Sequence, residues 1–220
     1  MTDPTARRDP LSREKVLLTA VSMADEGAGS VPSTRKLAER LGVRAMALYH
    51  HFRNKDELLD GMVDLVFSEV ELPEPGADWR TAMRQRGDSM RAALKRHPWA
   101  VGLMDSRLSP GQATLRHHDT VIGCLRAGGF TITGAAHAFS MMDSYIYGFA
   151  IQEHALPLDD KGGMEEAAEE MMTLVPADEY PHLTAMAAEH ALKPGYDYGD
   201  EFGIGLDLIL EGLEGKRGVW

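Results

Sequence analysis

Between Ser33 and Glu57 the chain reads STRKLAERLGVRAMALYHHFRNKDE, and the residue types there suit contact with a polyanion that carries sequence information. Arg44 has the planar fork to meet guanine O6 and N7 together, and the methyls of Ala45 and Ala47 can lie against a thymine methyl. Tyr49 and His51 are suited to phosphate oxygens, which fix register without reading sequence. Thr34 and Arg35 on one side, and Lys55 on the other, complete a clamp to which a helix N-terminus adds attraction for phosphate. His50 shares the polar side of the same segment. Each of these residues alone is most often a solvated surface group. The spacing from Thr34 to Lys55 makes the set a candidate interface for double-stranded DNA.

Such side chains must be held by particular elements. Ser33 is placed to cap a short helix whose Leu37, Ala38 and Leu41 face inward. Gly42 then supplies the left-handed geometry of a tight turn. A second helix, from about Arg44 to His51, locks onto its neighbours through Val43, Leu48 and Phe52. Asn54, with Glu57 three residues on, resembles a capping box that opens a further helix with the apolar stripe Leu58, Leu59, Met62, Val63 and Val66. Upstream, Ser12 opens a helix carrying Val16, Leu17, Ala20, Val21 and Ala24 on one face, closed by Gly27 and Gly29. Two short helices joined by a tight turn and braced by a third form the layout of a helix-turn-helix.

The remainder is also helical in period, and strand-like alternation is absent. Leu72-Pro73-Glu74-Pro75-Gly76 marks a boundary. Helices are expected from Asp78 (with Trp79, Met83, Met90 and Leu94) to a stop at Pro98, from Trp99 to about Ser106, and from Ser109 to Ala127 with closure at Gly128-Gly129. A helix from about Thr133 to Ala155 is apolar on much of its circumference: Phe139, Met142, Ile146 and Phe149 form one face, widened by Ala138, Met141 and Tyr145. PLDDKGG at 157–163 reads as a loop, and the following EEAAEE as a solvated acidic helix. The last helix, Asp200 to Glu214, carries Phe202, Leu206, Ile209 and Leu213. The expected fold class is therefore all-α. A disordered arm (1–11) precedes an N-terminal three-helix helix-turn-helix domain (12–72), and a C-terminal helical domain follows (77–220).

Composition narrows the function. The formal charge is -11 over 220 residues, with one cysteine. Residues 1–55 carry ten Lys and Arg against six Asp and Glu, a balance of +4, so the rest carries -15. A basic head on an acidic body suits a local phosphate-binding surface rather than a protein coated in nucleic acid. Cys124, among Val121, Ile122 and Leu125, reads as a structural thiol and excludes a disulfide framework or a cysteine zinc site. No apolar run is long enough to span a bilayer, and MTDPTARRDP lacks the apolar region of a secretory signal, so a cytoplasmic location without membrane contact is expected. No nucleophile–base pair, phosphate-cradling glycine loop or credible metal set is present, and an enzyme is not expected.

The stretch TRKLAERLGVRAMALYHHFRNKDELL resembles the DNA-binding domain of the tetracycline repressor (TetR) family, through LAERLGV, ALYHHF and NKDELL. Beyond residue 75, DWR at 78–80 and HPW at 97–99 resemble the tetracycline-repressor-like regulatory domains. The resemblance implies a homodimer whose two recognition helices enter successive major grooves of a pseudo-palindromic operator, about 34–36 Å apart. It assigns DNA contact to Ser33, Thr34, Arg35, Arg44, Ala45, Ala47, Tyr49, His50, His51 and Lys55. It further implies an unknown small-molecule effector, bound in the C-terminal domain, that releases the operator. It also implies a dimer bundle made by the helix to Ala155 and the last helix. Pocket residues are then expected around Trp99, Met104, Leu108, His118, Ile122, Met142, Tyr145 and Phe149, where methionines and aromatics suit an adaptable apolar cavity. The family's namesake holds a metal-chelated antibiotic with histidines, one near the end of the fourth helix. This chain has no histidine between Phe52 and Arg96, so tetracycline is not the expected ligand and no metal or cofactor is assigned. Adjacent His117 and His118 point apart on a helix, which favours a core histidine beside a surface one over a metal pair. The same head on an activator or architectural protein remains open, and a helical enzyme or carrier is the least favoured alternative.

Overall fold

The computed structural model describes residues 10–27, 30–104, 109–156, 173–193 and 195–220. Most of the expected arm, Gly29, Leu108, the 157–163 loop and the EEAAEE segment lie outside them. The described residues form α1 (Arg13–Glu26), α2 (Thr34–Leu41), α3 (Ala45–Leu48), α4 (Lys55–Ser68), α5 (Trp79–Arg96), α6 (Pro98–Met104), α7 (Gln112–Ala127), α8 (Ile132–Ala155), α9 (Pro181–Met186) and α10 (Glu201–Glu214), and no strand. The class is all-α. None of the helices among the described residues is long and apolar enough to cross a membrane.

The helix starts follow from local chemistry. Ser12, Ser33, Asn54, Asp78 and Thr131 each accept from a backbone N–H in the first turn of the helix that follows, which satisfies donors that would otherwise lack partners. Gly42 stops α2 in the left-handed region at φ +68°. α7 is capped from outside its own sequence. Asp64 of α4 accepts from Thr114 N at 2.8 Å, Thr114 Oγ1 at 2.9 Å and Ala113 N at 3.3 Å. The carboxylate fits only because position 111 is glycine, where a Cβ would collide with it.

α1 to α3 and the first turns of α4 enclose one cluster, with Val16, Ala20, Leu37, Leu48, Phe52, Leu58 and Met62 buried. The far half of α4 buries Val63, Val66 and Phe67 and packs on α6 and α7. α5, α7, α8 and α10 continue the same buried core through Met83, Met90, Val121, Leu125, Met142, Ile146, Phe202 and Leu206. Two departures from the helical periodicity stand out. α4 ends at Ser68, earlier than the Leu72–Gly76 segment, and Val70 then folds back into the core. α9 and the π turn that continues it, Ala187–Ala191, were not anticipated; Pro181 occupies the first turn of α9 and only Ala187 is buried.

A polar seam ties α1 to the C-terminal helices. Asp25 Oδ1 accepts from Trp99 Nε1 at 2.7 Å and lies 2.8 Å from His97 Nδ1. His97 Nε2 is 3.1 Å from Glu69 Oε1, and Arg96 donates to Glu69 Oε2 at 2.6 Å. Partial burial pushes the Glu69 carboxyl up, but Arg96 and His97 outweigh it and hold it below its ordinary value. Trp99 is thus a seam residue, with its ring in the core and its N–H spent on the head.

Removing Asp25 leaves two buried partners, the Trp99 indole and the His97 ring, short of an acceptor. Asp25→Ala should lower stability by about 1–3 kcal/mol, read as a reduced urea midpoint at constant slope. Glu39→Ala, which breaks only the exposed Arg35–Glu39 pair, should leave the midpoint unchanged.

Candidate nucleic-acid interface and interior cavity

The head presents its polar residues on one side. Ser33, Arg35, Arg44, Tyr49, His50 and Lys55 are exposed; Thr34, Ala45, Ala47 and His51 are half-buried. Leu48 and Phe52, at 3% exposure each, anchor the segment from below. The recognition helix is shorter than its periodicity suggests. Regular α structure covers only Ala45–Leu48, after which Tyr49 and His51 donate to carbonyls three residues back, at 3.2 and 2.9 Å. Arg13 explains this tightening. Its guanidinium donates to the His51 carbonyl at 2.8 Å, pairs with Glu57 at 2.8 Å and sits 4.4 Å from the centre of the Phe52 ring. The turn at 49–52 is therefore pinned from α1.

Asn54 Oδ1 accepts from Glu57 N at 2.8 Å as a capping box requires, but the Glu57 carboxylate reaches Arg53 N, at 2.7 Å, rather than the cap residue itself. The Arg53 N–H, followed by Arg13, draws that carboxyl below its ordinary value. Arg40 is committed to Glu26 at 2.7 Å, away from the α3 surface. Among the described residues Arg44 and Lys55 enter no ion pair, so both charges are available to a phosphate or a base. Met46 was missed by residue-type reasoning. It stands 71% exposed in the middle of α3, where an apolar side chain can meet a thymine methyl. The signal was in the helical period, which turns position 46 away from Leu48.

The regulatory half contains an interior cavity of about 180 Å3 between α4, α6, α7 and α8. Of the anticipated pocket residues, Met104 and His118 line it. Tyr145 and Phe149 instead line a larger hollow of about 530 Å3 between α8, the Met186–Ala191 segment and α10. Trp99, Ile122 and Met142 line neither: Trp99 belongs to the seam, Met142 is fully buried in the core, and Ile122 packs against it. Leu108 lies outside the described residues.

Behind the small cavity is a buried polar group of three. Arg86, 1% exposed, donates from Nε to His117 Nε2 at 3.2 Å and from Nη2 to Asp143 Oδ1. Because His117 Nε2 accepts, its proton in the neutral ring belongs on Nδ1. Burial, aided by the Arg86 charge, pushes His117 down to about 3. His118 beside it is half-buried rather than a surface histidine. It stands edge-on to Phe67 at 5.6 Å and to Phe139 at 5.0 Å, and burial pushes it down as well. Among the described residues no group of three potential ligands gathers to hold a metal ion. Cys124 is half-buried, and burial raises its thiol above the ordinary value.

Comparison with known proteins joins the two halves. Residues 19–62 match the family described as bacterial regulatory proteins, tetR family, and residues 72–217 match the tetracyclin repressor-like C-terminal domain. An HTH-type transcriptional regulator of Saccharopolyspora erythraea is 31% identical over 210 residues, spanning 95% of this chain and 87% of that protein. The HTH-type transcriptional repressor DrrR1 of Streptomyces coeruleorubidus is 30% identical over 93% of this chain and 77% of its own length. The crystal structure of Streptomyces coelicolor ActR in complex with actinorhodin superposes with a TM-score of 0.79 at 26% identity, covering 95% of this chain and 99% of ActR.

The buried histidine carries a pH signature. The fold accepts His117 neutral and holds it at about 3 against an ordinary 6.5. Its contribution to stability is whole above the ordinary value and is lost as the pH falls below it, by about 2 kcal/mol at pH 5. Urea unfolding between pH 5 and pH 7.5 should show this slope in the wild type and a shallower one, by the equivalent of one proton, in His117→Gln. Equal slopes would contradict a neutral buried ring.

Proposed function

The chain belongs to the tetracycline-repressor family, and so is a DNA-binding transcriptional regulator rather than an enzyme; from that premise we propose that it is a homodimeric repressor released from a pseudo-palindromic operator by a small molecule. The observation that carries this reading is the path of α4. Its first turn holds Lys55 beside the recognition helix, while Asp60, Val63 and Phe67, further along the same helix, form a wall of the interior cavity. A ligand in the cavity therefore presses on the element that carries the head. In a dimer, a small rotation of each α4 changes the spacing of the two recognition helices, and operator affinity depends on that spacing.

In this reading residues 12–72 are the DNA-binding domain and residues 77–220 the ligand-binding and dimerisation domain. Arg44, Ala45 and Ala47, with Met46, read bases. Ser33, Thr34, Arg35, Tyr49, His50, His51 and Lys55 hold phosphates. Two apolar stripes left exposed in the single chain support the dimer: Met141 and Ile151 on α8, and Ile204 and Leu208 on α10, each 46–65% exposed. Adjacent helices with outward apolar faces are what a two-fold four-helix interface buries. The effector is assigned to the cavity by its position against α4. Cytoplasmic residence follows from action on DNA.

Two measurements test this. Selection from random oligonucleotides should return a palindromic site. On that site Arg44→Ala should alter the preferred bases, whereas Lys55→Ala should weaken all sequences alike and lower the slope of log affinity against log salt by about one; equal behaviour of the two variants would refute the division of roles. In sedimentation, Leu208→Glu should convert a dimer to a monomer and reduce operator affinity at least tenfold. A dimer undisturbed by that charge would place the interface elsewhere.

A further inference from the structure

The recognition segment is poor in hydrogen-bonding readers. From Val43 to Phe52 the chain reads VRAMALYHHF, with no Asn, Gln, Asp, Glu, Ser or Thr. An amide is what meets adenine N6 and N7 together, and a carboxylate is what accepts from cytosine N4. Arg44 has the fork that guanine takes, and although it occupies the cap position of α3 its side chain makes no capping hydrogen bond. The residues that follow it are apolar. Met46 stands 71% exposed, with Ala45 and Ala47 half-buried on either side. A single exposed methionine is ordinary on a protein surface. This one stands out because its backbone is fixed. Leu48 and Phe52 are buried beneath the segment, and Arg13 pins the turn that follows through the His51 carbonyl. Helical spacing also puts Met46 on the same side as the exposed Tyr49 and His50. Its side chain is therefore presented on the face that meets the groove.

Resting on the reading of the chain as an operator-binding regulator, we propose that Met46 determines specificity by reading a pyrimidine C5 methyl group beside the guanine taken by Arg44, so that 5-methylcytosine satisfies it as thymine does. The methyl lies at the same place in the major groove in both bases. They differ at the neighbouring exocyclic group, an O4 acceptor in thymine and an N4 donor in cytosine. Telling them apart takes a hydrogen bond, and neither Met46 nor its alanine neighbours offers a strong one. Uracil and cytosine lack the methyl, so the methionine meets a gap and loses the contacts of its outer atoms. Methionine suits this task because it is unbranched and adapts to the surface it meets. The small side chains of Ala45 and Ala47 let the backbone come close enough for it to reach.

The test uses the full chain and the palindrome returned by selection from random oligonucleotides. The thymines near the guanine are replaced one position at a time, in both half-sites together, by uracil, by cytosine and by 5-methylcytosine, with guanine opposite the last two. Affinities are read by fluorescence anisotropy at one fixed salt concentration. At one position uracil should weaken binding by about fourfold per half-site, about fifteenfold for the symmetric pair, as expected for one methyl group buried in each. Cytosine there should bind no better than uracil, and 5-methylcytosine should restore most of the loss. Met46→Ala, a change at an exposed position, should bind the four duplexes alike at that position and keep the preference for guanine. If uracil costs Met46→Ala as much as the wild type, the methyl acts through DNA shape and the proposal is wrong. If 5-methylcytosine binds no better than cytosine, the methyl is not what is read. If uracil costs nothing at any position, or the selected half-site holds no thymine near its guanine, the methyl rule fails although the operator reading stands. If selection returns no site at all, the operator reading fails and the methyl rule falls with it.

Discussion

α4 is the constraint on which the rest of the molecule depends. It carries one apolar stripe, yet the first turns of that stripe complete the head core and the later turns complete the body core. Leu58 and Met62 are buried where α4 packs on α1, and Val66 and Phe67 where it packs on α6 and α7. Neither core closes without the same helix, so the head cannot drift while the body stays fixed. Asp64 strengthens the union, because a carboxylate of α4 caps the N-terminus of α7. A helix is stiff along its axis, and displacement at the cavity end must appear at the end that bears Lys55.

Polar groups then set how far this unit can move. The Asp25–His97–Glu69 seam fixes α1 and the end of α4 to the corner between α5 and α6. The Arg86–His117–Asp143 group fixes α5, α7 and α8 to each other beside the cavity. The second is largely desolvated, and in such surroundings partial satisfaction costs more than an apolar replacement would. The second group is incomplete: Arg86 Nη1 and His117 Nδ1 are buried without a hydrogen-bond partner among the described residues. Its tension sits one layer behind the cavity wall, where a change in Asp143 is felt by three helices at once.

The DNA-binding head was legible in the sequence because its information is local. Caps at Ser12, Ser33 and Asn54, the left-handed Gly42 and the inward Leu37, Leu48 and Phe52 all act within a few residues of where they are read. The detail that escaped, the tightening of the chain after Leu48, comes from Arg13, nearly forty positions away in sequence. Met46 escaped because residue-type reasoning favoured small and polar contacts over an exposed apolar one. In the C-terminal half the helices were legible for the same local reasons. The division of their apolar residues was not, since Met142, Ile122 and Met104 look alike in a period of 3.6 and differ only in what packs beside them.

By itself the sequence determined the all-helical class, the helix-turn-helix, its basic setting on an acidic body and the family, since these rest on periodicity, caps and residue type. Only the tertiary structure decided which residues face a cavity. It put Met104 and His118 at the small cavity and Tyr145 and Phe149 at another hollow, and it drew Trp99 into the seam with the head. It also brought Arg86, His117 and Asp143, spread over more than fifty positions, into one buried group. Burial and charge pairing depend on helices that meet in space, and no spacing along a single helix encodes which helix will lie across from it.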